Sequence, residues 1–326
     1  MKEIFEKFNS LNVLIIGDVM MDSYIWGKAE RISPEAPVPI ISVSRKENRL
    51  GGAANVALNV QSLGATPYIC AVIGEDSEGD EFLSLLYKQN LNTEGILRIN
   101  NRPTTVKTRI IAQNQQIVRV DAETEASISN QDTESILVKI KSLIDSKNIS
   151  AIIFEDYDKG LISKQLIDVV VKFAIENKII TVVDPKKRNF LDYTGVNIFK
   201  PNLKELKEGL KIEIDPANNQ EVEEAVSKLK TQLRVNAVML TLSEHGVFIS
   251  SDAGKKHYQA HKRDIADVSG AGDTVIATTA LCLAAGLDVF RTSEIANLAG
   301  GLVCEHVGVV PIDKSRLLAE SEKLES

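Results

Sequence analysis

Aromatic side chains make up only 5% of the 326 residues, and Trp26 is the single tryptophan. Cysteine is scarcer still: Cys70, Cys282 and Cys304 stand in apolar stretches with no CxxC spacing. Their odd number predicts buried, reduced thiols of a cytoplasmic protein and excludes a disulfide framework. The four histidines, at 245, 257, 261 and 306, form no HExxH or comparable metal-ligand pattern. His257 and His261 are four apart, but GKKHYQAHK reads as strand, which puts them at the surface. No Walker A sequence GxxxxGK[ST] occurs, which excludes a P-loop NTPase. The first apolar run is followed by GDVMMD, where a dinucleotide-binding oxidoreductase would carry GxGxxG. VIATTALCLAAGL is too short to cross a bilayer, and MKEIFEKFNS lacks the apolar centre of a signal peptide. The expected location is the cytoplasm, with no membrane partner. A net charge of −7 argues against nucleic acid and means that an anionic substrate needs a local basic pocket.

Apolar residues, by contrast, are plentiful at 44%, enough for one large α/β core. Runs of buried-strand type, LNVLIIG (11–17), YICAVIG (68–74), AIIFED (151–156), IITVVD (179–184), NIFKPN (197–202) and AVMLTLS (237–243), alternate with segments of helical spacing such as 76–90 and 163–178. That alternation predicts a mainly parallel sheet covered on both faces. Four runs end in or beside a polar residue, Asp18, Asp156, Asp184 and Asn202, and ligands of open α/β sheets gather at the carboxyl ends of strands. Two stretches break the alternation. APVPIISVSRKE (36–47) and RPTTVKTRIIAQNQQIVRVD (102–121) read as strands without a helix between, the second as a hairpin turning at Gln113-Asn114-Gln115. They predict a small β flap over the strand ends, formed by insertions at about 23–47 and 98–121.

DVSGAGDT (267–274) poses the chemical question. If residues 270–272 form a turn opening an apolar helix at 273–286, their amides converge on an anion site with Asp273 beside it. A carboxylate next to a bound phosphate makes sense as a base taking the proton of a hydroxyl that attacks that phosphate. As a mere helix cap, the same stretch would need no glycine pair.

DVSGAGDT resembles the C-terminal signature of the ribokinase-like (PfkB) sugar kinases, and RLGGAANVALNVQSLGA (49–65) resembles their N-terminal glycine-pair signature. NLKE (202–205) resembles their Asn-x-x-Glu motif, and TLSEHG (241–246) a segment lining their nucleotide site. All occur in the family's order across nearly the whole chain. GDVMMDSYIWG, RISPEAPVPI and NQQIVRVD further resemble bacterial heptose-7-phosphate kinases, which make a 1,7-bisphosphate on the way to ADP-heptose for lipopolysaccharide. Relatives fused to a nucleotidyltransferase carry HxGH, which is absent here, so the chain resembles a kinase-only form. Two departures stand out: EDYDKG (155–160), where relatives often have serine before Asp-Tyr, and the doubled lysine in DPKKR (184–188).

The resemblance implies an α/β fold, a ribokinase-like three-layer sandwich with a small β-strand lid, forming one kinase domain over 1–326. Asp273 would be the general base, with Gly270, Ala271 and Gly272 as the anion hole. Asp18 and Asn55 would bind sugar hydroxyls, with Gly51 and Gly52 admitting the ring close to the backbone. Asp22 reads equally as a sugar ligand or as the start of a loop into the flap. Asp184, Lys186, Thr241, Ser243, Gly246 and Asn297 fall on the nucleotide side. Asn202 and Glu205 would organise Mg²⁺ through water, although Asn-x-x-Glu also fits a capping box. Asp267 and Ser269 match the place where many relatives hold a monovalent cation such as K⁺. Asp156, Lys107, Arg109, Lys159 and Lys186 are candidates near the substrate, the cations for its 7-phosphate, with Arg109 preferred for its fork geometry. Solvated surface is the plainer reading of each cation.

The expected activity is transfer of phosphate from ATP to C1 of D-glycero-β-D-manno-heptose 7-phosphate. Kinases of ribose, fructose or a hexose phosphate are the nearer alternative, and a non-catalytic sugar-phosphate sensor the more distant one. The exposed edges of the flap predict a homodimer through its strands.

Overall fold

The computed structural model describes residues 1–113, 115–261 and 263–324. The first half runs α1 (Lys2–Phe8), β1 (Asn12–Gly17), β2 (Val19–Ile32), β3 (Pro39–Gly52), α2 (Ala53–Ser62), β4 (Thr66–Gly74), α3 (Ser77–Lys88) and β5 (Ile96–Ile99). There follow β6 (Val106–Ala112), β7 (Gln115–Ala122), α4 (Asn130–Lys147), β8 (Ala151–Glu155), α5 (Lys164–Glu176), β9 (Ile180–Asp184), β10 (Ile198–Phe199) and α6 (Leu203–Leu210). The last part contains α7 (Asn219–Leu233), β11 (Ala237–Thr241), β12 (Val247–Ser251), β13 (Gly254–Tyr258), α8 (Ala271–Ala284), α9 (Val289–Val303) and α10 (Lys314–Lys323).

Nine strands form one sheet in the order β13-β12-β11-β10-β9-β8-β1-β4-β5. It is parallel from β11 to β5, and only β12 runs against the rest, pairing antiparallel with β11 and β13. Side chains alternate between its faces, as the pleat requires. Val13 and Ile15 join a core with α2, α8 and α9, while Leu14 and Ile16 join one with α4, α5 and α7. The sheet is thus a middle layer between two sets of helices. α8 is apolar on nearly every side and correspondingly buried from Asp273 to Cys282.

A second sheet has the order β3-β2-β6-β7. β2 pairs antiparallel with β3 and parallel with β6, so the two stretches that break the alternation share one sheet, joined through β2. Its boundaries differ from the expected insertions. β2 begins at Val19, one residue after β1, because Val19–Met21 are buried and continue the apolar run. Ile96–Ile99 pairs with β4 and belongs to the large sheet. β6 and β7 form the expected hairpin, with Asn114 of its turn outside the described residues. NIFKPN supplies only a two-residue strand, since Pro201 has no N–H to donate and Asn202 already caps α6.

Asp76 anchors the segment that leads into the small sheet. Its carboxylate caps α3 through Gly79 N–H (2.8 Å) and also accepts from the Thr104 N–H (2.7 Å) and hydroxyl (2.6 Å). The neighbouring Thr105 carbonyl receives the Met21 amide at 2.9 Å. Burial alone would raise the Asp76 pKa, but these donors outweigh it and hold it below the ordinary value. Its contribution is therefore present at neutral pH and lost as pH falls. Asp76→Ala should cost about 1–2 kcal/mol, the scale of a lost cap, and lower the urea midpoint at pH 7 more than at acid pH. Equal shifts at both pH values would contradict this account.

Candidate functional site

The carboxyl ends of β1, β8, β9 and β10 converge under the start of α8. Gly270 precedes that helix in the left-handed region, at φ 79°. The helix begins at Ala271, two residues earlier than expected, so Ala271 and Gly272 lie inside its first turn. The Ala271 amide bonds to the Val268 carbonyl at 3.3 Å. Gly272 and Asp273 then present first-turn N–H groups, which have no intrahelical acceptor. With the helix dipole they favour an anion at this spot.

Asp273 is buried beside those amides, at 8% exposure. Asn55 Nδ2 donates to its Oδ2 at 2.5 Å, and the Tyr157 hydroxyl donates to its Oδ1 at 3.2 Å. Burial pushes the Asp273 pKa up to about 6, with Asp184 adding to the rise and Asn55, Tyr157 and Lys200 restraining it. The group is mostly ionised at pH 7 and close enough to titration to accept a proton, as a general base needs. Asn55 Oδ1 is buried without a partner, an acceptor aimed at no protein donor.

Asp18 is equally buried, but its oxygens receive the backbone N–H groups of Tyr157 (3.0 Å), Lys159 (3.0 Å) and Leu161 (3.4 Å). Burial and the charge of Asp156 raise its pKa to about 6 against those donors. Asp18 thus anchors the loop that carries Tyr157. Gly51 and Gly52 make room for protein neighbours: a Cβ on Gly51 would meet Asp22 Oδ2 at 2.3 Å, and one on Gly52 the Asp18 carbonyl at 2.4 Å.

Two lysines and two acids form a second cluster. Lys200, 2% exposed, pairs with Asp184 at 2.8 Å, and Lys186 pairs with Glu205 at 2.5 Å. Burial opposes the charge on Lys200, yet Asp184 and Glu205 outweigh it and raise its pKa. The place of a Cβ on Gly272 lies 3.7 Å from Asp184 Oδ2 and 4.0 Å from Lys200 Nζ, which sets this cluster against the first turn of α8. Asn202 and Glu205 close a full capping box, so the plainer reading of NLKE is realised: Glu205 N–H bonds to Asn202 Oδ1 and Asn202 N–H to Glu205 Oε2, both at 2.9 Å. Thr241 bridges to Asn202 across the strand ends. Ser243 and Gly246 form the turn after β11, and Asn297 reaches from α9 to the Gln259 carbonyl at 2.9 Å. Asp267 accepts from Ser269 N–H (2.9 Å) and Gly308 N–H (3.0 Å). Those amides hold its carboxyl below the ordinary value despite burial.

The chain matches the profile of the pfkB family carbohydrate kinases over residues 10–315. It belongs to that family. The pfkB match joins curated relatives called bifunctional protein HldE. One from Methylobacillus flagellatus is 37% identical over 96% of this chain and 64% of its own length. One from Sulfurimonas denitrificans is 38% identical over 94% and 63%. The chain therefore spans just under two thirds of these relatives. Its fold is that of phosphofructokinase-2 from Escherichia coli in complex with potassium, at TM-score 0.77 and 16% identity over 97% of this chain and 99% of that one. Ribokinase from Arabidopsis thaliana complexed with ribose and ATP matches at TM-score 0.73 and 18% identity, over 96% and 99%.

Several expected site residues of this carbohydrate kinase stand elsewhere than the sequence suggested. Asp156 is turned away from α8 and accepts from Tyr193 OH (2.8 Å), Asn189 Nδ2 (3.1 Å) and Asp158 N–H (2.9 Å). From there it stiffens the loop from behind. The ammonium of Lys159 lies between Glu123 (2.8 Å) and Glu125 (3.4 Å), so it is not a free cation for a phosphate. Asp22 sits in strand β2 rather than a loop and pairs with Arg109 at 2.6 Å. Lys107 lies on β6 opposite Asp22, and its carbonyl receives Arg109 at 3.4 Å.

Four residues were given no site role in the sequence reading, although EDYDKG was noted as a departure. Tyr157 donates to Asp273, Lys200 pairs with Asp184, Glu155 stands at the end of β8, and Arg49 joins Arg109 over the ring of Tyr24, at 4.9 and 5.3 Å. EDYDKG and FKPN contained three of them. Strand parity would have separated Glu155, on the α8 face, from Asp156 on the other.

Loss of the Tyr157 hydroxyl removes a donor that favours ionised Asp273, so the pKa of Asp273 must rise. Tyr157→Phe should move the acidic limb of kcat/KM upward from about pH 6 with the KM for the nucleotide unchanged. An unmoved limb would show that the contact does not tune the base.

Proposed function

We propose that this carbohydrate kinase transfers the terminal phosphate of ATP to the C1 hydroxyl of D-glycero-β-D-manno-heptose 7-phosphate, in the cytoplasm. The observation that carries the kinase chemistry is the buried Asp273 carboxylate beside the first-turn amides of α8. Asp273 takes the hydroxyl proton while Gly272 and Asp273 N–H stabilise charge on the transferred group. Donors of this kind contribute roughly 10²–10³ in rate each, and a general base ~10²–10⁴. Asn55 Oδ1 offers an acceptor to a sugar hydroxyl.

The resemblance to heptose-7-phosphate kinases supports the substrate, as does the guanidinium pair of Arg49 and Arg109 across Tyr24. Each guanidinium keeps an acidic neighbour, Glu47 at 2.5 Å and Asp22 at 2.6 Å, and retains N–H groups for a phosphate. The small sheet carrying them would close over the sugar as a lid.

No three carboxylate, histidine or cysteine side chains among the described residues lie close enough to grip a metal ion directly. The residues fit a hydrated Mg²⁺ held by ATP phosphates and, through water, by Asn202 and Glu205. Bound there, the cation would offset phosphate charge. Asp267, with the Ser269 turn, is the corresponding candidate for K⁺.

Purified protein with ATP, Mg²⁺ and the heptose 7-phosphate should release ADP and give a 1,7-bisphosphate in phosphorus NMR. Asp273→Asn should abolish turnover. Arg49→Ala and Arg109→Ala should each raise KM for the sugar phosphate about 10–100-fold, the scale of a lost charge-assisted hydrogen bond. Turnover of ribose or fructose 6-phosphate in its place would keep the chemistry and overturn the substrate. No turnover of any sugar would favour a sensor.

β7 is exposed along its whole length and forms an edge of the small sheet, with Ile117, Val118 and Val120 all uncovered. That is a surface natural proteins seldom leave bare, and we assign it to a homodimer. Light scattering should give twice the chain mass, and Val118→Asp should halve it. A monomeric parent protein would contradict the assignment.

A further inference from the structure

Glu155 ends β8, with its Cα in register with Gly17 on one side and Asp184 on the other. In-register neighbours of a parallel sheet point to one face, so Glu155 and Asp184 stand side by side beneath the first turn of α8. Gly17 contributes no side chain to that row, and a Cβ there would lie 2.8 Å from the Cβ of Glu155. Glu155 is 1% exposed, and its Oε2 has no hydrogen-bond partner. Buried carboxyl oxygens almost always have a donor, and one without calls for a ligand or a water.

Its surroundings say which ligand. The charges acting on Glu155 are those of Asp184, Asp273, Lys186 and Lys200. Lys200 is matched to Asp184 and Lys186 to Glu205, and Asp273 has Asn55 and Tyr157 as donors. Glu155 alone in this group is matched by neither a cation nor a donor at Oε2. Burial, reinforced by Asp184 and Asp273, pushes its carboxyl well above the usual range. The cluster is short of positive charge at the spot where the phosphates of ATP must meet Asp273.

We propose that Glu155 is an additional acceptor for the hydrated divalent cation that accompanies ATP, its Oε2 taking a hydrogen bond from a cation-bound water beside the Asn202–Glu205 group. This extends the Mg²⁺ reading above and rests on it. A serine at this position could accept a hydrogen bond but would add no charge.

Calorimetry with the non-hydrolysable analogue AMP-PNP, in the absence and presence of Mn²⁺, separates the two claims. The parent protein should bind AMP-PNP more tightly with Mn²⁺. In Glu155→Gln, which keeps the side-chain volume and removes the charge, that gain should shrink about tenfold while metal-free affinity and melting temperature hold. Glu155→Ser should lose the same factor. An undiminished gain in both variants would overturn the role of Glu155 and leave the Mg²⁺ reading standing. No gain from Mn²⁺ in the parent protein would overturn both.

Discussion

Three backbone N–H groups, those of Tyr157, Lys159 and Leu161, converge on the buried carboxylate of Asp18. This contact joins the end of β1 to the loop after β8. It decides where Tyr157 stands, and Tyr157 in turn bonds to Asp273 on α8. The residue after Asp18 opens β2, so the same position also sets where the small sheet departs from the large one. A carboxylate with three amide donors is held far more firmly than one paired with a single mobile side chain. Asp273, the loop and the small sheet therefore share one fixed point.

Around it the protein buries charge, which is costly unless paired. Lys200 and Asp184 are both nearly inaccessible, and each would be destabilising without the other. Lys186 and Lys200 are each matched by an acid, so within the cluster the first-turn amides of α8 are the groups left to favour an anion. Burial, with the charge of Asp184 adding to it, holds the pKa of Asp273 at about 6.

Sequence periodicity revealed the large sheet because parallel strands buried on both faces are continuous apolar runs. LNVLIIG and AIIFED needed no further information. DVSGAGDT marked the start of α8, where Gly270 takes the left-handed conformation and Asp273 falls in the first turn. The side-chain partners were less legible. Asp156 and Glu155 are adjacent and equally acidic, and only the face each takes separates a loop brace from a site residue. Lys159 looked like a phosphate ligand because Glu123 and Glu125, which hold it, come from a distant part of the chain. Arg49 and Arg109 meet over Tyr24 only once β2, β3 and β6 are assembled. Contacts of that kind depend on register between strands far apart in sequence.

The parallel pairing of β2 with β6 joins Met21 to Val106. Between them lie β3, α2, β4, α3 and β5, and most of these belong to the other sheet and its helices. Loop closure across so long a segment is entropically unfavourable until that segment is itself compact. The small sheet can therefore be completed only after the strands and helix pairs it brackets have folded. An emerging chain must carry β2 and β3 as an unfinished hairpin until β6 arrives, with one long edge of β2 open to any other strand it meets.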